Sequence, residues 1–205
     1  KGYQISQIHP YNDTIGNPIY WRLRLKHKDT DEKMIRPMSI KDGQFVLEEP
    51  VFISKKPIYK LNLLQDAELI FWVEGEAVAD ALCKLGLVTT TSGSATSQTS
   101  ADLEPLSGKV VRIWPDNDSA GQSHASSVAA LLREINCSVA TVDVSQLDLP
   151  KGGDFVDWQK IYPEASKEQV LSIPLVTDDT LPDEVDEMEH SVAPYPIDAL
   201  PDSIR

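Results

Sequence analysis

Cysteine is scarce in this chain. There are two in 205 residues, Cys83 and Cys137, far apart and without a CxxC partner. That excludes a disulfide framework and a zinc ribbon, and both read as small buried apolar groups in a reducing compartment. The four histidines, His9, His27, His124 and His190, are scattered without ligand spacing and are assigned no role. No run approaches the roughly 18 consecutive apolar residues that cross a bilayer, and no signal peptide opens the chain. A cytoplasmic protein without a membrane partner is expected. The first residue is lysine rather than methionine, so the chain reads as a piece of something longer. Apolar residues make up 41%, enough for an ordinary globular core.

The net charge of −13 conceals a division. Residues 1–64 carry 11 basic and 7 acidic residues, residues 65–175 carry 7 and 16, and residues 176–205 carry 1 and 9. A basic front is thus joined to an acidic middle and a very acidic end, and such asymmetry points to different partners for each part.

Three segments follow from rhythm. Residues 1–64 form a small β-rich unit. In "IYWRLRLKHK", Ile19, Trp21, Leu23 and Leu25 alternate with Tyr20, Arg22, Arg24 and Lys26, which predicts a strand with one apolar and one basic face. "DTIGNP" and "KDG" supply turns around it. The basic face has two readings, a solvated sheet surface or a phosphate-contacting one. Residues 65–173 alternate strand and helix: "LIFWV", "EAVADALCKLG", "LVTTT", a short helix near 101–106, "KVVRIW", a helix over about 119–135, "SVATVDV" ending near Val144, and "DFVDWQKIY". That order implies an α/β fold, a mostly parallel sheet flanked by helices. Residues 174–205, with five prolines and nine acids, read as a linker or tail.

Ligands of an open parallel sheet bind outside the carboxyl ends of its strands. Glu74 follows "LIFWV", Asp116 and Asp118 follow "KVVRIW", and Asp154 and Asp157 open the last helix, so acids from three strand ends meet at one edge. Hard oxygen ligands in a cluster suit Mg²⁺ or Mn²⁺. Taken singly, each acid also reads as a turn or a helix N-cap, Asp118 and Asp154 above all.

These residues resemble a known pattern. "FWVEGEAVADAL", "VVRIWPDNDSAGQSHASSVAALL" and "LPKGGDFVDW" look like the three motifs of the TOPRIM domain in bacterial, phage and plasmid primases, over roughly residues 60–165. The front unit, "GNPIYWRLR…KPIYKLNLL", resembles the subdomain that precedes TOPRIM there. The closing "APYPIDALPDSIR" resembles the lead-in to a helicase-like ATPase domain in mobile-element primase–helicases. The resemblance implies a Rossmann-like TOPRIM fold and DNA primase-type nucleotidyl transfer. Asp116, Asp118 and Asp154, with Asp157 beside them, would bind divalent metal, and Glu74 would act as ligand or general acid/base. It also implies a single-stranded DNA template and nucleoside triphosphates as partners, held by Arg22, Arg24, Lys26, Arg36, Lys55 and Lys56. The family's usual aspartate three residues after the first glutamate is Ala77 here, with Asp80 as a candidate replacement. A TOPRIM nuclease, or a non-catalytic module that positions a helicase with a degenerate metal site, remain alternatives. No zinc module of the kind often found upstream occurs in the sequence.

Overall fold

The computed structural model describes residues 2–30, 32–94 and 96–176. Two sheets organise them. The first is antiparallel, in the order β1 (Tyr3–Asn12), β2 (Pro18–His27), β3 (Lys33–Lys41), β4 (Gln44–Val46). Its turns are set by local chemistry. Asp13 Oδ1 accepts the backbone N–H of Ile15 at 3.0 Å and of Asn17 at 2.8 Å, closing the first hairpin. Asp42 and Gly43 both have positive φ, the requirement of the two-residue turn between β3 and β4.

The second sheet holds β5 (Leu69–Trp72), β6 (Thr89–Thr90), β7 (Val110–Ile113), β8 (Ser138–Val142) and β9 (Leu175–Val176), in the order β6-β5-β7-β8-β9. The first four are parallel and β9 is antiparallel. Helices α1 (Glu76–Lys84), α2 (Ser119–Glu134), α3 (Phe155–Ile161) and α4 (Lys167–Leu171) connect them. The continuous apolar run of β5 has its reason in burial on both faces. Ile70 and Trp72 enter one core with Val111, Ile113, Val128 and Leu132; Phe71 and Val73 enter the other with Val78, Leu82, Trp114 and Phe155. No helix among the described residues is long and apolar enough to cross a membrane.

Several sequence expectations shift. "LVTTT" contributes only a two-residue strand. The helix expected near 101–106 is a single 3₁₀ turn at Glu104–Leu106, with Pro105 inside it. Strand β8 stops at Val142 because Asp143 turns its carboxylate onto the Ser145 N–H at 3.2 Å, starting a 3₁₀ turn. The expected tail begins two residues into the fold, since Leu175 and Val176 pair with Val142 and Thr141. The rest of the segment read as a tail, 177–205, lies outside the described residues.

The largest departure concerns β2. The start of its polar face covers the second unit through Tyr20 and Arg22, whereas Arg24 borders a cleft and Lys26 is exposed. Tyr11, Tyr20 and Tyr59 are buried in the same core as Phe71 and Trp114. Arg22 Nη1 donates to Glu76 Oε1 at 2.7 Å and the Tyr11 hydroxyl donates to the same oxygen at 2.8 Å. Only 6% of the Glu76 side chain is exposed, so the pair is largely dry. Gly93 packs so close to Arg22 Nη1 and the Tyr11 hydroxyl that any Cβ there would collide with both. A second knot lies beside it. Asp80 meets His9 Nδ1 at 3.0 Å through one oxygen, and through the other accepts from Tyr59 at 3.0 Å and Lys60 at 2.7 Å. Burial pushes the Asp80 carboxyl up, and the hydrogen bonds from His9 and Lys60 outweigh it, leaving it at about 2.

Removing one member of a dry ion pair strands the other. Glu76→Ala is therefore expected to lower the unfolding free energy in urea by about 3–5 kcal/mol, while Arg22→Met/Glu76→Leu recovers most of that loss. An Ala variant as stable as the parent would show that the two units do not depend on this pair.

Candidate active site

The strand order supplies the site. The chain steps from β5 outward to β6, then returns to the other side of β5 to lay down β7. The crossovers diverge there, and the carboxyl edge between β5 and β7 is the crevice where such sheets take ligands. Trp114 N–H donates to the Trp72 carbonyl at 2.9 Å, keeping the two strand ends level. Glu74 and Asp116 emerge two residues beyond those tryptophans.

The third contributor, Asp154, comes from farther along the chain and is brought in by two devices. One is aromatic: Trp114 meets Phe155 at 5.1 Å and Trp158 at 5.9 Å between ring centroids, pinning α3 to the end of β7. The other is Asn117, between the two aspartates. Its N–H donates to the Gly153 carbonyl at 2.9 Å, its carbonyl accepts from Gly152 at 2.9 Å, and its side-chain amide donates to Leu149 at 2.9 Å. The "PDND" and "LPKGGD" loops are thus sewn together by the residue that sequence reading passed over. Gly152 adopts φ 69° in this stitch. Gly121 has a steric role: a Cβ there would run into the Asp116 carbonyl oxygen and lie 2.9 Å from its nitrogen.

Two of the acids are indeed helix caps. Asp118 Oδ1 accepts from Gly121 N–H at 2.8 Å at the start of α2. Asp154 Oδ1 accepts from Val156 at 2.6 Å and Asp157 at 3.1 Å. Capping uses one oxygen of each, and Asp118 Oδ2 faces the Gly152 side of the crevice. Asp157 is turned differently. It completes the capping box by accepting from Asp154 N–H at 3.3 Å and pairs with Lys160 at 2.7 Å, whose hydrogen bond lowers its pKa.

The electrostatics follow from this crowding. Burial, then the charges of Glu74, Asp154, Asp118 and Asp157, push the Asp116 carboxyl up to about 7. Burial and the Asp118 charge also raise Glu74, against the Asp116 backbone N–H, which lowers it. One oxygen of Glu74, Oε1, is buried and has no hydrogen-bond partner. Glu74, Asp116 and Asp154 line one cleft of about 350 Å³, with Arg24, His9, Ser94 and Ala77 on its other walls. Among the described residues no group of three or more His, Cys, Asp or Glu side chains forms a ready-made cation shell. The donor set nonetheless fits Mg²⁺ or Mn²⁺, which keep several waters and take one or two carboxylates directly. A buried carboxylate oxygen without a partner, beside an aspartate whose pKa is raised, is a place where such an ion would relieve the repulsion.

The cationic candidates are dispersed. Arg24 alone borders the acidic cleft, and it also borders a neighbouring cleft of about 630 Å³ with Lys60 and Lys84. Arg22 is committed to Glu76. Lys56 pairs with Glu49 at 2.6 Å, on the rim of a separate cleft with Arg22 and Ser92. Lys55 is exposed after β4, and Lys26 lies at the far end of β2 opposite Lys33. Arg36 pairs with Leu23, on the sheet face turned away from the second unit. Asp80 does not replace the missing acid at Ala77, since it is bound into the His9 knot. His9, 1% exposed, is a cleft residue that no sequence signal marked.

Two measurements probe this geometry. An aspartate with a raised folded-state pKa binds its proton more tightly when folded. Its contribution to stability is full below the ordinary 3.8 and is lost as pH rises through about 7. In metal-free buffer, thermal melts should therefore fall less steeply over that window for Asp116→Asn than for the parent; parallel curves would rule the crowding out. Gly121→Ala should cost about 1–3 kcal/mol in urea melts, as overpacking against a fixed backbone does, whereas a neutral substitution would mean that Asp116 is not held against α2.

No protein-family model matches the sequence, and no curated protein matches it. Solved structures do share the fold. The crystal structure of the Aquifex aeolicus primase, comprising its zinc-binding and RNA polymerase domains, superposes with a TM-score of 0.51 at 18% identity, covering 82% of this chain and 40% of that one. The primase fragment of the bacteriophage T7 primase-helicase protein gives 0.52 at 14% identity, covering 82% and 60%. The chain therefore spans less than two thirds of either neighbour, and its mixed α/β architecture is that of primase fragments.

Proposed function

We propose that this chain is the TOPRIM-type catalytic core of a DNA primase, joining nucleotides on a single-stranded template with the help of divalent cations. The observation that carries the reading is the partnerless Oε1 of Glu74 beside Asp116, at the β5/β7 crevice. Glu74 and Asp116 would form the inner ligand pair, with the uncapped oxygens of Asp118 and Asp154 next to them. Mg²⁺ or Mn²⁺, when bound, neutralises phosphate charge and lowers the pKa of an attacking hydroxyl. The chain's own part is positioning, which is most of what phosphoryl transfer asks of a protein. Arg24, on the wall opposite the carboxylates, is suited to hold the triphosphate tail. The Arg22–Glu76 pair keeps the front sheet, and so Arg24, in place above α1. Lys26, Lys55, Lys56 and Arg36 are too dispersed to share one grip and would meet the template at separate points.

A helicase-like ATPase of a mobile-element replication protein is the partner that fits this reading: the likeness to the T7 primase-helicase fragment supports the helicase association, and the resemblance of "APYPIDALPDSIR" to a primase–helicase lead-in supports the mobile-element origin. A second reading, a degenerate module that only positions such a helicase, draws on Ala77 in the cleft wall and on Asp80 being tied away from it.

Primer synthesis on single-stranded template with Mg²⁺ or Mn²⁺ is expected to fall about 100-fold or more in Asp116→Ala/Asp118→Ala, the loss of several kcal/mol of charge stabilisation. Equal activity in parent and variant would refute the catalytic reading. Calorimetric titration with Mg²⁺ separates the alternatives, since a parent protein that releases no heat at millimolar ion fits the positioning module.

A further inference from the structure

Helix α1 turns two acids towards the front sheet, Glu76 and, one turn on, Asp80. Glu76 is taken by Tyr11 and Arg22, and Asp80 by His9, Tyr59 and Lys60. The second of these knots leaves a ring nitrogen over. His9 Nδ1 lies 3.0 Å from Asp80 Oδ2. Burial raises the Asp80 carboxyl, but its hydrogen bonds outweigh that and bring it to about 2, so it is ionised and can only accept. Nδ1 therefore carries the ring proton, and in the neutral ring Nε2 is an acceptor. No described residue hydrogen-bonds Nε2, yet this nitrogen is not one of the buried polar atoms shut off from solvent. His9 is only 1% exposed, and the cleft it borders is the acidic one. Its remaining nitrogen is reached from there.

A histidine buried for structure alone pairs both nitrogens, because an unmet ring nitrogen forfeits the hydrogen bond it had in water. The Tyr59 ring meets His9 edge to face at 5.9 Å, so the acceptor is fixed before any ligand arrives. It stands in a cleft whose walls are otherwise mostly charged, as at Glu74, Asp116 and Arg24, or apolar, as at Ile35 and Val78. A neutral acceptor there suits a neutral donor on the ligand. Template-directed joining takes every base, so a fixed acceptor serves the part common to all nucleotides, the sugar hydroxyls. The cleft, about 350 Å³, is at the small end of ligand pockets. The group beside His9 is then close to the reacting phosphate, as the sugar is.

We propose that His9, set in place by Asp80 and Tyr59, accepts a hydrogen bond from a ribose hydroxyl of the incoming nucleotide and so selects nucleotides by their sugar. The assignment rests on the nucleotidyl-transfer reading of the cleft, and it gives the front sheet a part in choosing the substrate.

The test uses the full chain with Mn²⁺, titrated in a calorimeter with ATP, 2′-deoxy-ATP and 3′-deoxy-ATP. The parent should bind ATP roughly fivefold or more tighter than at least one analogue, the worth of one hydrogen bond. Two variants then separate the two ring nitrogens. His9→Asn keeps a donor near the position of Nδ1, for Asp80, and has nothing at Nε2. His9→Gln reaches the position of Nε2 with its amide and leaves Asp80 to Tyr59 and Lys60. His9→Asn should bind all three nucleotides alike, with a melting temperature near that of the parent, and His9→Gln should keep the preference. A parent that binds no nucleotide, or binds the three equally, overturns the proposal before any variant is made. So does the opposite order, His9→Asn like the parent and His9→Gln impaired, which is what a purely structural histidine gives. Binding is read without catalysis, so the two readings fail separately. A sugar preference lost in His9→Asn, from a parent that makes no primer, refutes only the catalytic reading; primer synthesis with the preference kept in His9→Asn refutes only the role of His9.

Discussion

Like charges held at close quarters are the constraint around which the second unit is built. Glu74, Asp116, Asp118 and Asp154 repel one another, and burial together with that repulsion pushes the Asp116 carboxyl up to about 7. Rigid backbone holds them in place. The parallel β5–β7 register levels two strand ends, Asn117 sews the neighbouring loops, and the Trp114–Phe155–Trp158 cluster clamps α3. Backbone N–H groups at the starts of α2 and α3 each occupy one oxygen of Asp118 and Asp154. What is left unrelieved sits at Glu74 and Asp116. Cap and cation site are therefore not competing descriptions, because capping uses one carboxylate oxygen and leaves the other to the crevice.

The front sheet is best understood as a lid on this arrangement. It brings no acid to the cleft, but it supplies His9, Arg24 and Ile35 to its walls. Its attachment is chemically unusual for two units in contact: buried tyrosines flank a dry ion pair and a carboxylate bound by His9, Tyr59 and Lys60. Polar groups buried with partners specify one docking geometry where an apolar contact would tolerate several. Burying them commits Arg22 to Glu76, while the opposite sheet face exposes Ile5, Ile8 and Phe45.

Much of the second unit was legible from local patterns. Apolar runs bounded by "EGE", "DND" and "GGD" mark strand ends and helix starts because each turn type has its own residue chemistry. The carboxyl-edge rule then placed Glu74 with Asp116 and Asp154, as the cleft does. Elsewhere the local signal misled. The alternation in "YWRLRLK" is genuine, but period two says only that two faces exist, not which one is inside. The tertiary fold buries Tyr20 from one face and Leu23 from the other, holds Arg22 against the buried Glu76 and leaves Lys26 exposed, so alternation alone does not pick the inner face.

Secondary elements, their order and the identity of the acids were determined by the sequence alone, since each depends on neighbours a few residues away. Which cations reach the cleft was decided only by the tertiary structure. Arg24 borders it while Arg22 is spent on Glu76 and Arg36 faces away, outcomes set by partners 50 or more residues distant or by the docking of one sheet on another. The same holds for Asp80, whose carboxylate is bound by His9 and Lys60, whereas Asp157 pairs with Lys160 three residues on, a local contact of one helix. An ionised group goes to the partner that desolvates it at least cost, and that choice exists only once the chain has folded.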